Sequence, residues 1–237
     1  MKQFIVAALI SLVCFSCQDE FPEPMVMGSL QLESVEIAEA ANETISRAID
    51  SDLIVEIWQN GEIFQYQGQV FRFTAGHLPS NIMLPAGNYV VKAFTKSHQE
   101  APEWTNGDLG SAIYYKEENV EIIEDKVALI SMKVPMTNIG VTFTLPEGFN
   151  QSFSEYTFTV AEGGVQSDLR TVSVKKAETI YLKPGAFTVT LQAKNVDNES
   201  VSTTLTRKEV TPGTIYTVAY QIAASSRTSV LYEGCLQ

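Results

Sequence analysis

Three cysteines, two histidines and two tryptophans carry much of the side-chain chemistry open to this chain of 237 residues. His77 and His98 stand in no metal-ligand spacing. No G-x-S-x-G nucleophile elbow, glycine-rich phosphate loop or dinucleotide fingerprint occurs, so neither an activated nucleophile nor a cofactor site is expected. Glu117-Glu118 and Asp50-Ser51-Asp52 are carboxylate clusters, but 28 acidic residues bring such neighbours together by chance. A glycosidase pair meets through the fold and cannot be read from spacing. The clusters therefore read as solvated faces without an ordered calcium loop. No metal, no cofactor and no enzymatic activity are expected. Aromatic side chains are the better binding candidates. Trp58, Trp104, Tyr114 and Tyr115 could form a platform on which sugar rings stack. Trp104 lies in the polar loop PEWTNGDLGS and Tyr114-Tyr115 follow it, so these three are candidate ligand-binding residues. The plainer alternative is a ring packed beneath its own loop.

Cys17 has a different setting. Lys2 supplies a positive start, residues 4–13 (FIVAALISLV) are apolar, and Ser16 precedes Cys17. The run is too short for a permanent span, which needs about 20 apolar residues. It resembles a lipoprotein signal, with Cys14 in place of the usual aliphatic residue three before the modified cysteine. That resemblance implies cleavage after residue 16 and lipidation of Cys17. Cys235 is then the one thiol left, so no intrachain disulfide forms and hydrophobic cores must hold the fold. Residues 17–27 read as a lipidated tether, with Asp19, Glu20 and two prolines suited to an extended linker. Acidic residues directly after such a cysteine also resemble a surface-export signal. The expected location is the outer membrane, lipid-anchored and surface-exposed.

The formal net charge is −12, and no Lys/Arg cluster is present. Phosphate backbones and anionic membrane surfaces both need cationic neutralisation, so nucleic acid is excluded as an expected partner. Arg47 stands out within this acidic background. It is the sole basic residue between Lys2 and Arg72, in a Ser/Thr-containing stretch before the first clear strand. An accessible Arg47–Ala48 bond between strands suits nicking by an arginine-specific protease.

The elements around these residues repeat with a period of two from residue 28 onward. Leu53/Val55/Ile57, Tyr89/Val91/Ala93, Val141/Phe143/Leu145, Tyr156/Phe158/Val160, Phe187/Val189/Leu191 and Tyr216/Val218/Tyr220 each alternate. Asn60-Gly61 predicts a type I′ hairpin that pairs Ile57 with Phe64 and Val55 with Tyr66. Short strands separated by Gly, Pro, Asn and Ser indicate an all-β sandwich architecture. Only 34–46 is compatible with a helix, and it reads equally as an acidic loop. Residues 82–96 (IMLPAGNYVVKAFTK) echo residues 180–194 (IYLKPGAFTVTLQAK) at an offset of 98. Each block reads as strand–turn–strand, followed by a further strand pair at 120–134 and 208–222. The repeat predicts two tandem β-sandwich domains, 28–135 and 136–237, with the boundary near Pro135.

The lipoprotein signal, GSLQLES, a lone Arg before DLIVEIW, the two glycine-centred blocks, PMTNIGVTF and then FSEYTFTV occur in that order. Together they resemble a family of Bacteroidetes-type lipoproteins related to fimbrillin-like proteins, over nearly the whole mature chain. The resemblance implies two transthyretin-like or immunoglobulin-like sandwiches at the cell surface. It further implies processing after an arginine near the N-terminus, here Arg47 before Ala48. Removal of a strand within 28–37 would open a groove that another pilus subunit fills with a donated strand. The C-terminal stretch 225–237 is the candidate donor. No Leu-rich processing motif precedes Arg47. The expected function is a fimbrial-type or adhesion component acting by β-strand complementation. The alternative is a glycan-binding surface lipoprotein that uses its aromatic loop.

Overall fold

A computed structural model describes residues 25–38, 53–163, 170–176, 178–225 and 228–236. The chain is all-β. Its first strands are β1 (Met27–Ile37), β2 (Ile54–Gln59), β3 (Glu62–Ile63), β4 (Gln65–Tyr66), β5 (Gln69–Val70) and β6 (Arg72–Thr74). Then come β7 (Ile82–Pro85), β8 (Gly87–Phe94), the short helix α1 (Lys96–Glu100), β9 (Tyr115–Ile122) and β10 (Val127–Val134). A second series holds β11 (Ile139–Thr144), α2 (Phe149–Ser152), β12 (Phe153–Glu162), β13 (Thr171–Val174) and β14 (Ile180–Leu182). It ends with β15 (Phe187–Asn195), β16 (Ser200–Arg207), β17 (Ile215–Ser225) and β18 (Thr228–Leu236).

The two series share one topology. In the first, β1 is the middle strand of a sheet, parallel to β10 and antiparallel to β7. In the second, β11 takes the same place, parallel to β17 and antiparallel to β14. The facing sheets match as well: β2–β8–β9 in one, β12–β15–β16 in the other, all antiparallel. The echo blocks thus occupy equivalent places, with Gly87 (φ 155°) and Gly185 (φ 157°) at equivalent corners. Each glycine carries the chain from one sheet to the facing one, so the strands on either side of it do not pair with each other. The pairs expected at 120–134 and 208–222 need the same correction. β9 bonds to β8 and β10 to β1, in different sheets, and residues 208–214 lie ahead of β17 without forming a strand.

Inward alternation builds the cores. Leu30, Leu53, Val55, Ile57, Leu84, Val91, Met132 and Val134 pack in one cluster, joined by Met136 and Ile215. Ile139, Phe158, Val160, Val172, Ile180, Phe187, Val189 and Val218 pack in another. Burying a large aliphatic side chain contributes about 1.5–3 kcal/mol, so these positions contribute most to holding the sheets together.

The Asn60-Gly61 hairpin forms with positive φ at both residues, 53° and 85°. Trp58 faces Ile63, and the Phe64 amide donates to the Ile57 carbonyl. The expected partner of Val55 is wrong, however. A second tight turn at Gln67-Gly68 (φ 50° and 80°) pairs β4 with β5 and lifts Tyr66 off the sheet. Val55 instead pairs with Phe73 of β6. The helix-compatible stretch also differs, since residues 34–37 extend β1; residues 39–46 lie outside the described residues.

Among the described residues, β18 has no counterpart in the first series. It runs antiparallel to β17 over nine residue pairs and covers that sheet's edge. The equivalent edge, on β10, has no strand across it among the described residues.

Candidate functional site

Cys17, Arg47 and Ala48 lie outside the described residues. In sequence Arg47 falls in the connection between β1 and β2, so a cut there severs β1 from everything that follows. β1 pairs with β10 from Ser29 to Ile37 and with β7 from Met27 to Leu30. Leu30, Leu32 and Val35 are buried beneath it. Losing β1 would leave β7 and β10 flanking an apolar groove with unpaired backbone groups on both sides.

The loop after α1 is fastened to the second series. The Gly107 amide donates to the Thr171 carbonyl at 3.0 Å, and the Tyr181 amide to the Leu109 carbonyl at 2.8 Å. The Thr171 amide donates to Asn106 Oδ1 at 2.8 Å. Asn138 accepts from the Ile113 amide and donates to the Ser111 carbonyl, each at 2.9 Å. Arg170 is the centre of this contact. Its guanidinium lies 3.3 Å from the Glu162 carboxylate and donates to the carbonyls of Asp108 and Tyr181. Both members of the ion pair are buried. Glu162 is also hydrogen-bonded by the Lys183 amide at 3.1 Å. Trp104 sits in this assembly, its ring centroid 5.1 Å from the Arg170 guanidinium. A Cβ on Gly110 would lie 2.9 Å from the indole, so Gly110 lets the loop close over the ring. Donation from the Thr105 amide and hydroxyl, with Arg170 nearby, holds the Asp108 carboxyl below its usual range.

The three candidate aromatics therefore do not share a platform. Trp104 faces Arg170. Tyr114 is 2% exposed and packs inside the first core, where burial pushes its phenol up. Tyr115 is half-buried; its ring stacks on His98 at 4.4 Å and its hydroxyl donates to Glu117 at 2.7 Å. Burial and that carboxylate push its pKa up to about 12. The Glu162–Arg170 pair was not found by sequence reasoning. The two residues meet because β12 and β13 pair antiparallel, with Ala161 opposite Thr171, and the Glu162 amide donates to the Arg170 carbonyl.

Trp58 occupies a different setting. It borders an open cleft of about 670 Å³ on the outer face of β2–β8–β9, lined also by Asn60, Asn88, Lys92, Glu117 and Asn119. The indole N–H donates to Glu56 at 2.8 Å, and Glu56, 2% exposed, is 3.4 Å from the Arg72 guanidinium. Lys92 Nζ sits 3.7 Å from the Trp58 ring centroid and 4.0 Å from Glu117.

Among the described residues no group of histidines, cysteines and carboxylates is arranged to hold a metal ion, and no helix is long and apolar enough to cross a membrane. The fold and these sites define an all-β protein of stacked antiparallel and mixed sheets. Residues 26–232 match the family model described as a domain of unknown function (DUF4493), and the chain belongs to that family. No curated protein matches it. The fold is similar to that of a candidate cell adhesion protein from Bacteroides uniformis, with a TM-score of 0.51 and 11% identity over 89% of this chain and 98% of that one. It is similar also to a candidate cell adhesion protein from Bacteroides eggerthii, with a TM-score of 0.50 and 9% identity over 90% of this chain and 96% of that one.

Proposed function

We propose that this chain is a non-enzymatic adhesion component of the cell surface, related to fimbrillin-like proteins and assembled by β-strand complementation. The observation that carries the reading is the contrast between two equivalent edges. β18 covers β17 in the second series, while β10 has no strand across its outer edge among the described residues. A terminal strand bonded along one edge is a ready donor, and a full ladder of backbone bonds rewards its transfer to an open sheet. The descriptions of the two fold neighbours as candidate cell adhesion proteins agree with this role. Cutting after Arg47 and losing β1 would create the acceptor. The supporting experiment is digestion of the purified chain with an arginine-specific protease, followed by mass spectrometry and size analysis. Cleavage at Arg47 with new oligomers is expected. Cleavage with β1 still bound and the protein monomeric contradicts the reading.

Anchoring belongs to the same proposal: Cys17 carries lipid and holds the uncut chain on the outer membrane, and the cut after Arg47 parts that anchor from residues 48–237. A palmitate analogue is expected to label the wild type and spare Cys17→Ala, and equal labelling of both would refute the anchor.

A further inference from the structure

We propose that the cleft beside Trp58 binds a neutral hexose unit of a surface glycan. The inference deepens the adhesion reading, on which it rests, by naming what is adhered to. It uses the outer face of β2–β8–β9, away from β1, β10 and β18.

Three features of the cleft carry it. The first is a fixed aromatic wall. Trp58 is held by its own N–H to Glu56, which is buried and tied to Arg72. An indole locked in this way presents an apolar face at small entropic cost, as sugar C–H groups require. The second is the lining. Asn60, Asn88 and Asn119 line the same cleft as Trp58 and bring three side-chain amides to it. Each amide both donates and accepts, which matches the vicinal hydroxyls of a pyranose. The third is charge. Lys92 is outnumbered by Glu117 and Glu121 in the lining, so an acidic sugar is repelled and a neutral one is not. The volume of about 670 Å³ falls within the range of small-molecule sites.

Lys92 is the movable part. Its ammonium rests over the indole at 3.7 Å, and its ion pair with Glu117, at 4.0 Å, is still long. A sugar ring entering against Trp58 shifts Lys92 toward Glu117. The cation–π contact is exchanged for a closer ion pair, so the stacking face opens without stranding a charge.

The chain has two tryptophans, Trp58 and Trp104, so Trp104→Phe leaves a single reporter in the cleft. The test titrates the full chain, purified in detergent, with a panel of neutral hexose oligosaccharides: α- and β-linked glucans, a mannan and a galactan. Saturable change in Trp58 emission with at least one member is expected. Asn119→Ala and Asn88→Ala should each weaken that binding about tenfold, the equivalent of one lost hydrogen bond. Calorimetry on the chain with both tryptophans, against Trp58→Leu, gives the same answer without relying on the Trp104 substitution. No binding across the panel, binding unchanged in the amide and Trp58 variants, or tighter binding of an oligouronate overturns the proposal. None of these outcomes bears on strand exchange, which is read from oligomer size.

Discussion

Arg170 shows how one side chain can fasten a loop to a distant sheet. Its charge is buried against Glu162 and its remaining donors reach the carbonyls of Asp108 and Tyr181. Removing one partner of such a pair strands the other in a dry site, which costs about 3–5 kcal/mol. Arg170→Met is therefore expected to lower unfolding stability by about 3 kcal/mol or more in denaturant melts, and an effect under about 0.5 kcal/mol would contradict the role given to it. His98 gives a pH prediction. Burial first, and the Lys92 charge second, hold it below its ordinary 6.5. The unfolded chain then takes up a proton more readily than the folded one, so stability is full above about pH 6.5 and is lost as pH falls through the folded value. Thermal melts between pH 7 and 5 should decline less steeply in His98→Gln than in the wild type. At this scale little was legible. The aromatic types at Trp104, Tyr114 and Tyr115 were visible in the sequence, but their directions were not. Tyr114 and Tyr115 are adjacent, so strand alternation sends one ring into the core and the other to His98.

Strand-level order was much more readable. The alternating triplets, the Asn60-Gly61 turn and the offset of 98 all depend on local sequence, and each has its structural counterpart. The misplaced partner of Val55 has a local cause too. Gln67-Gly68 turns as tightly as Asn60-Gly61 while lacking the Asn or Asp that signals such a turn. Parallel pairing of β1 with β10 had no such cue, because its partners lie about a hundred residues apart: Ser29 meets Val127. The first hairpin offers a clean test of turn chemistry. Gly61 has φ +85°, and a Cβ added there would meet no atom within 4 Å, so Gly61→Ala isolates backbone cost. It should destabilise by about 1–2 kcal/mol. Gly110→Ala should cost more, since its Cβ would also meet Trp104 and the Tyr181 carbonyl. Denaturant melts of both variants check the order, and the reverse order would contradict the account of the loop.

Across the whole molecule, we propose that the repeated topology divides into two sandwich domains with a boundary near Pro135. Separate expression of 28–135 and 136–237 is expected to give two folded, β-rich pieces. The loop at 104–113 should exchange its amides faster in the first piece, because Thr171, Arg170 and Tyr181 no longer hold it. A first piece that is wholly unfolded alone would contradict that division. The same topology makes the two sheet edges comparable, and strand exchange is the claim on which the functional account rests. It is tested most directly by comparing the Arg47-cut chain with and without residues 226–237, using light scattering after size separation. The account predicts that the cut chain loses 28–47 and forms oligomers in a ladder of whole-number masses, and that deleting β18 abolishes the ladder while the protein stays folded. Oligomers that persist without β18, or a cut chain that sheds β1 and remains monomeric, would contradict it.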